Sequence, residues 1–196
     1  MKRIFDIIVS ALLLMATWPI LIGAAIAVRR SSPGPVIFRQ VRVGRHGRLF
    51  KILKFRTMCP ATRPSREITV GQDERITPIG ALLRKWKIDE LPQLINVLRG
   101  DMSLVGPRPD VPSYVARYPE ELRSRVLSVR PGITDPASIK YRNENELLAY
   151  QPDPERYYLD VIMPDKLELG AAYAKDPTLA GDIRIILATI RAVLTD

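Results

Sequence analysis

The sequence has very little cysteine and histidine, with one residue of each, Cys59 and His46, in 196 positions. A disulfide within the chain, a zinc site built from Cys and His, and a pair of histidine metal ligands are therefore excluded. His46 lies beside Gly47 in a polar stretch typical of a turn, which disfavours a Ser-His-Asp mechanism. Cys59 has no neighbouring group in the sequence that would activate its thiol. If the chain is an enzyme, carboxylates and an oxygen-liganded cation are the remaining candidates for its chemistry.

Acidic residues are few relative to basic ones. The chain has 30 Lys and Arg against 21 Asp and Glu, a formal charge of +9. This excess favours anionic partners: nucleic acid, an anionic membrane surface or a phosphorylated substrate. The aromatic and basic interleaving usual in RNA-binding proteins is not found, so no nucleic acid partner is expected.

Charge is missing altogether from residues 7–28. A helix of about 22 residues is long enough to cross about 30 Å of hydrocarbon, and the apolar run is too long for a cleaved signal peptide. Pro19, near the middle of the run, breaks or kinks a helix. Basic residues flank the run on both sides, which sets no orientation. From the residues alone, a helix that re-enters the same side and a Pro-kinked helix that crosses the membrane are equally supported.

Residues 31–35 form a helix-breaking cluster, so we predict two units: a membrane helix over 1–32 and a catalytic or binding domain over 33–196. Strand-forming runs at 36–40 and 49–56 around a Gly-containing turn predict a β-hairpin. Helical spacing of apolar residues predicts helices at 79–86, 90–98, 120–129, 143–149 and 179–194, and polar composition predicts a loop at 60–73. The last helix fits core packing and the membrane surface equally well. The predicted fold class is α+β, mainly helical.

The adjacent carboxylates Asp89 and Glu90 are the sharpest candidates for chemistry. They fall at the predicted start of helix 90–98, where the helix dipole keeps a carboxylate ionised and attracts phosphate. Pro92 fits the first turn, with Asp89 or its neighbour as the N-cap. An ionised Asp can attack phosphorus, and a Glu can bind a cation or move a proton. From the dipeptide alone, ordinary capping is the better explanation. Asp160 and Lys166 are weaker candidates, because a surface ion pair explains them equally well.

Arginines on rigid backbone strengthen the case for phosphate chemistry. Arg108 and Arg130 lie in Pro- and Gly-containing segments, which suits bidentate phosphate binding. Lys54 and Arg56 share a face of the second hairpin strand and are expected to join them. Taken singly, each is better explained as a solvated basic residue.

The motifs along the chain are, in order, KRIFD at 2–6, PGPVIFRQ at 33–40, KFRTM at 54–58, RITPIG at 75–80, LR at 83–84, DELPQL at 89–94, NV at 96–97, GDMSLVGPRP at 100–109 and RPGIT at 130–134. Together they resemble the bacterial sugar transferases, or monotopic phosphoglycosyl transferases, over nearly the whole chain. The resemblance implies a re-entrant N-terminal helix broken at Pro19, followed by a cytoplasmic-face catalytic domain on the phospholipid of the bacterial inner membrane.

The resemblance also implies a reaction. A UDP-sugar donates its sugar 1-phosphate to a polyprenol (undecaprenyl) phosphate and UMP is released. The route is Mg²⁺-dependent and ping-pong, through a covalent aspartyl-phosphosugar, and it initiates glycoconjugate or exopolysaccharide synthesis. Two alternatives are a ternary complex, in which the carboxylates only bind Mg²⁺, and a non-enzymatic basic membrane module.

Residue roles follow from the same likeness. Asp89 matches the nucleophile and Glu90 the cation ligand or proton-transfer partner, so both are expected near Mg²⁺. The residues expected to bind substrate or phosphate are Lys54, Arg56, Arg84, Arg108 and Arg130.

The chain departs from the family pattern after Thr134, where many relatives continue Gly-x-Ala-Gln and this one reads DPASIKYR at 135–142. That stretch is expected to touch the sugar or the nucleotide, so the identity of the donor is left open. A homodimer is left open as well. The chain is expected to lack the additional membrane domain of some relatives and to be the minimal catalytic form.

Overall fold

The structure is a computed structural model that describes residues 1–59, 71 and 73–195. It is mainly helical, with one long N-terminal helix and two two-stranded sheets. The elements are α1 Lys2–Ser31, β1 Ile37–Val43, β2 Leu49–Phe55, α2 Pro78–Lys85, α3 Gln93–Arg99, β3 Ser103–Val105, α4 Pro112–Val115, α5 Glu120–Val126, β4 Gly132–Thr134, α6 Pro136–Lys140, α7 Glu144–Ala149, α8 Pro154–Tyr157, α9 Met163–Lys175 and α10 Leu179–Leu194. The predicted loop at 60–73 lies almost entirely outside the described residues.

The predicted hairpin is confirmed. β1 and β2 pair antiparallel, with Ile37 opposite Phe55 and Val43 opposite Leu49. Gly44 N–H donates to the Arg48 carbonyl at 2.8 Å and closes the loop. The hairpin places Lys54, near the end of β2, against the segment between α2 and α3.

A short parallel pair, β3 and β4, was not predicted. Ser103 pairs with Gly132 and Val105 with Thr134. At Gly106 an added Cβ would lie 2.3 Å from the Arg130 carbonyl oxygen. Only glycine allows the two backbones to approach this closely, so Gly106 holds the segment after β3 against the segment before β4.

The largest core cluster lies under the C-terminal half of the domain. It joins α5, α7 and α9 with the residues around α4. Its buried members are Val111, Tyr114, Val126, Leu148, Tyr158, Ile162, Met163, Leu167 and Ala171. A π-helical turn, Tyr158–Ile162, connects α8 to α9 within this cluster.

Both ends of α1 are attached to the same domain. At the start, Lys2 pairs with buried Asp182 of α10, and Arg3 donates to the Val97 carbonyl at 2.7 Å. At the other end, Arg56 donates to the Ser32 carbonyl at 2.6 Å, and Val28 is fully buried. The helix is therefore anchored at its two termini.

Between its ends α1 is largely exposed. The predicted break at Pro19 is wrong, because one α-helix continues from Lys2 to Ser31. Thr17, beside the proline, donates its hydroxyl to the Leu13 carbonyl at 2.7 Å. Among the described residues, α1 is the one helix that is long and apolar enough to cross a membrane, and only 11% of its most apolar stretch is buried. It is therefore not the core helix of a soluble domain. Whether it crosses or re-enters stays a prediction.

Candidate active site

The carboxylate dyad lies in a 3-10 turn between two helices. After α2, Lys87 adopts left-handed backbone with φ 54°, a conformation that costs a non-glycine residue about 1 kcal/mol or more. The turn Ile88–Glu90 follows, and Pro92 is the N-cap of α3. The predicted N-cap at Asp89 or its neighbour is therefore wrong. The carboxylates precede the helix instead of capping it.

Glu90 is held between two cations. Lys54 Nζ lies 2.7 Å from Oε1, and the Arg108 guanidinium donates to both carboxylate oxygens, with Nη1 3.3 Å from Oε2. Burial raises the pKa of the Glu90 carboxyl, but Arg108 and Lys54 outweigh it and hold that pKa well below its usual range. Glu90 in turn raises the pKa of Arg108. Glu90 is therefore a fixed negative charge near neutral pH.

Asp89 has the opposite electrostatics. It is 7% exposed, and Oδ1 has no hydrogen-bond partner among the described residues. Burial, and then the charge of Glu90, raise the pKa of Asp89 to about 6, against the opposing effect of Lys54 and Arg84. Asp89 therefore loses its charge at a higher pH than an exposed carboxylate does, and it is ionised above about pH 6. Adjacent carboxylates with pKa values pushed apart are suited to different chemical roles.

Arg108 is held in place by hydrogen bonds from both its backbone and its side chain. Its N–H donates to Asp135 Oδ2 at 3.2 Å, and its Nη1 donates to the Ile133 carbonyl at 3.2 Å. From β1, Arg42 donates to the carbonyl of Pro109 at 3.2 Å. The side chain is thus preorganised to meet an anion.

A cavity of about 950 Å³ opens beside the dyad. Glu90, Arg84 and Arg108 line it, and Asp89 does not. Thr57 orients Arg84 by accepting from its Nε at 2.8 Å, and burial lowers the pKa of Arg84. Ligand pockets span about 300–1,000 Å³, so this cavity is large enough for a nucleotide and a sugar together.

Two predicted phosphate ligands have other partners. Arg56 is buried and donates to the carbonyls of Pro35 and Ser32, both at 2.6 Å, at the end of α1. Arg130 donates to the Gly100 carbonyl at 2.9 Å and does not line the cavity. The structure brings the other three predicted basic residues to the dyad, but not these two.

The sequence profile of a family described as "Bacterial sugar transferase" matches residues 1–196. The chain belongs to the bacterial sugar transferase family. The predictions of this family and of a transferase enzyme are confirmed.

Three relatives of this sugar transferase are named for three different sugars. A UDP-glucose:undecaprenyl-phosphate glucose-1-phosphate transferase of Caulobacter vibrioides is 38% identical, over 99% of this chain and 70% of that protein. A UDP-N-acetylgalactosamine-undecaprenyl-phosphate N-acetylgalactosaminephosphotransferase of Aeromonas hydrophila is 36% identical, over 99% of this chain and 44% of that protein. An undecaprenyl-phosphate galactose phosphotransferase of Salmonella typhimurium is 36% identical, over 99% and 40%. Likeness to these proteins therefore does not select one sugar.

Gln93 is a candidate site residue of this sugar transferase that sequence reasoning missed. It is fully buried, and neither amide atom has a hydrogen-bond partner in the described part of the chain. A buried amide left unpaired costs about 1–3 kcal/mol and calls for an explanation. Gln93 is the first residue of α3, four positions after Asp89 in the chain. The sequence feature that could have identified Gln93 is a polar residue next to Leu94 on the inward face of α3.

The dyad fits a magnesium ion that binds together with a phosphate. Among the described residues there is no group of three or more His, Cys, Asp or Glu side chains suited to a metal. Mg²⁺ does not need one, because it takes one or two carboxylates and fills its other positions with phosphate oxygens and water. Asp89 Oδ1 is buried without a partner in the described chain, which suits a ligand atom.

Proposed function

We propose that this sugar transferase moves the sugar 1-phosphate of a UDP-sugar to undecaprenyl phosphate, releases UMP, and so initiates glycoconjugate or exopolysaccharide synthesis. The names of the relatives support this donor and acceptor class. The observation that carries the proposal is the buried Asp89 beside Glu90, which Lys54 and Arg108 clamp at the edge of a large cavity.

The first half-reaction forms a covalent intermediate on Asp89. A carboxylate oxygen attacks the phosphorus that carries the sugar, and a new P–O bond forms. The bond from that phosphorus to the bridging oxygen breaks, and UMP leaves with that oxygen and the electron pair. Oδ1 of Asp89, which is buried without a partner in the described chain, is less stabilised by solvation than an exposed carboxylate oxygen, which favours attack.

The second half-reaction returns Asp89 to its starting form. An oxygen of undecaprenyl phosphate attacks the same phosphorus, and the P–O bond to Asp89 breaks. Asp89 leaves as a carboxylate and the lipid carries a diphosphate-linked sugar. The net charge is conserved in each step, because one anionic oxygen attacks the phosphorus and another leaves it.

The cations around Glu90 stabilise the charge on the phosphates. Phosphoryl transfer is catalysed mainly by positioning and electrostatic stabilisation. Arg108 has a guanidinium already aimed by its loop, and Lys54 and Arg84 add two further positive groups near the dyad. In this structure Glu90 pairs with both Arg108 and Lys54.

Glu90 and Asp89 would hold a Mg²⁺ ion through carboxylate oxygens, together with the phosphates of the donor and water. The ion would supply charge neutralisation on the diphosphate. UMP release measured after EDTA treatment and stepwise return of Mg²⁺ tests this requirement. Undiminished release in EDTA would remove the ion from the proposal.

Intact-mass spectrometry tests the covalent route. Protein incubated with a UDP-sugar and Mg²⁺, without acceptor, should gain the mass of one sugar phosphate and exchange labelled UMP into the donor. Asp89→Asn should do neither, while Asp160→Asn, an exposed control of the same chemistry, should behave as wild type. A ternary-complex mechanism gives neither adduct nor exchange in wild type. Normal turnover by Asp89→Asn would show that the nucleophile is another group.

We further propose that α1 holds the enzyme on the cytoplasmic face of the inner membrane as a re-entrant helix, with its exposed apolar side chains in phospholipid. A crossing helix would put its ends about 30 Å apart on opposite sides of the hydrocarbon. Because Lys2 and Val28 both contact the one domain, that domain would then have to reach across the bilayer. A helix with both ends on one side avoids this.

Cysteine labelling tests the topology. Cys59 is free and exposed, so Cys59→Ser gives the background for single cysteines at the exposed positions Ile4 and Pro33. An impermeant maleimide should label both from the cytoplasmic side. Labelling from opposite sides would establish a crossing helix.

A further inference from the structure

A second charged cluster lines the cavity and is formed by residues other than those placed at the dyad. Lys166 of α9 is paired with Glu144 of α7, and its Nζ lies 5.1 Å from the ring centroid of Tyr158 and 5.8 Å from that of Tyr141. All four residues line the same cavity as Glu90 and Arg108. They come from two stretches of the chain, residues 141–144 and 158–166, so tertiary folding assembles the cluster.

This pair is not an ordinary surface ion pair. The Lys166 and Glu144 side chains are only 23% and 22% exposed. Tyr158, under the ammonium, is buried and donates its hydroxyl to Asp110 Oδ2 at 3.4 Å. Tyr158 also begins the π-helical turn, a geometry that occurs frequently at functional sites. Both partners of the pair are therefore held in the cavity wall.

The chemistry of the pair suits a neutral ligand rich in hydroxyl groups. Its two charges cancel, so it offers little net attraction to a phosphate, in contrast to the basic groups around Glu90. Its carboxylate accepts from hydroxyls, its ammonium donates to them, and an aromatic ring such as Tyr141 packs on the C–H face of a sugar.

The three relatives are named for different sugars, namely glucose, galactose and N-acetylgalactosamine, and all three names describe transfer of a sugar phosphate with undecaprenyl phosphate. A group that reads the sugar must therefore be separate from the groups that hold phosphate. Tyr141 lies in the 135–142 stretch, where this chain departs from the family pattern. The cavity, at about 950 Å³, has room for both parts of the donor.

We infer that Glu144, Lys166 and Tyr141 form the subsite that binds the hydroxyl groups of the donor's sugar and sets which UDP-sugar is used. This inference rests on the proposed function. Glu144 and Lys166 make the hydrogen bonds that distinguish one sugar from its epimer, and Tyr141 supplies the flat wall.

Sugar selectivity measured in variants tests the subsite. The variants are Glu144→Gln and Lys166→Met, with Glu121→Gln as the matched control, because Glu121 forms an exposed pair with Arg125 away from the cavity. The readout is kcat/KM for UMP release from UDP-glucose, UDP-galactose and their N-acetylated forms, together with inhibition by UDP, which has no sugar. We expect the preferred donor to lose about tenfold to 100-fold and the ratio between epimers to approach one. The inhibition constant for UDP should stay within about twofold.

Several results would overturn the subsite. One is unchanged selectivity among the sugars. Another is an equal loss for every sugar and for UDP, which is the mark of a structural role. A third is a change only in the preference for UDP-glucose over CDP-glucose, which would assign the cluster to the nucleoside. Should Glu144→Gln fail to fold, Glu144→Asp keeps the charge, shifts the carboxylate, and should still alter selectivity. Wild-type protein that releases UMP from no UDP-sugar would instead overturn the proposed function itself.

Discussion

Removing the charge of Asp89 should stabilise the protein at neutral pH, although Asp89 is the proposed nucleophile. Its pKa is raised to about 6 from an ordinary 3.8, chiefly by burial. Each tenfold change in an acid dissociation constant corresponds to about 1.4 kcal/mol, so the ionised carboxylate opposes folding by up to about 3 kcal/mol. Because the folded-state pKa is the higher one, this penalty is absent below pH 3.8 and complete above pH 6. Asp89→Asn should therefore gain up to about 3 kcal/mol at pH 7 and little at pH 4.

Glu90→Gln should shift stability in the opposite direction. The pKa of Glu90 is held well below its usual range, so Glu90 contributes stability above its unfolded-state pKa and loses it as the pH falls through its folded-state value. Removing the charge leaves Lys54 and Arg108 without their common partner. Breaking a buried pair costs about 3–5 kcal/mol, and the partial exposure of Arg108 points to the lower end.

Thermal unfolding in detergent with EDTA measures both changes without a bound metal. For a protein of this size, 1 kcal/mol moves the melting temperature by about 2–4 °C, so Asp89→Asn should melt several degrees higher than wild type at pH 7 and Glu90→Gln several degrees lower. The gain of Asp89→Asn should disappear at pH 4, and exposed Asp160→Asn should show no shift at either pH. A lower melting temperature for Asp89→Asn at pH 7, or shifts of the same sign for both variants, would refute the electrostatic account.

Three further changes have defined outcomes. Arg108→Lys should slow UMP release by about tenfold or more in a donor-only assay, because an ammonium cannot donate to both carboxylate oxygens of Glu90 as the planar guanidinium does. An unchanged rate would show that the guanidinium of Arg108 has no role in UMP release. Gly106→Ala should abolish recovery of folded protein, since a Cβ would lie 2.3 Å from the Arg130 carbonyl oxygen, whereas Gly23→Ala, with open space around it, should purify normally. Gln93→Leu should melt no lower than wild type, because it removes an unpaired buried amide, and should lower kcat; full activity would exclude Gln93 from the site.

Local patterns in the sequence predicted the elements whose signal is local. The hairpin and helices α2, α3, α5, α7 and α10 lie within a few residues of their predicted positions. The pair β3 and β4 was missed because each strand has three residues and its partner is distant in sequence. Helix α9 was missed because Pro164 near its start and the small residues Gly170 and Ala171 weaken the apolar periodicity.

For the site, residue type was easier to predict than environment. Arg108 was recognised by its rigid setting. Strand periodicity predicted that Arg56 lies on the same face as Lys54. It does not predict that the carbonyls of Pro35 and Ser32 accept hydrogen bonds from the Arg56 guanidinium. The raised pKa of Asp89 depends on burial, which is a tertiary property.

The pairing of Lys2 with Asp182 has a consequence for the order of events during synthesis. The two residues are separated by 180 positions, so the second is translated long after the first has left the ribosome. At about 5–20 residues per second, Asp182 is synthesised roughly 10–35 s after Lys2. The apolar surface of α1 must therefore be covered by the bilayer or by a chaperone before the Lys2–Asp182 pair can form. Deletions that remove α10 should take away the partner of Lys2 and leave the contact of Arg3 with the Val97 carbonyl in place.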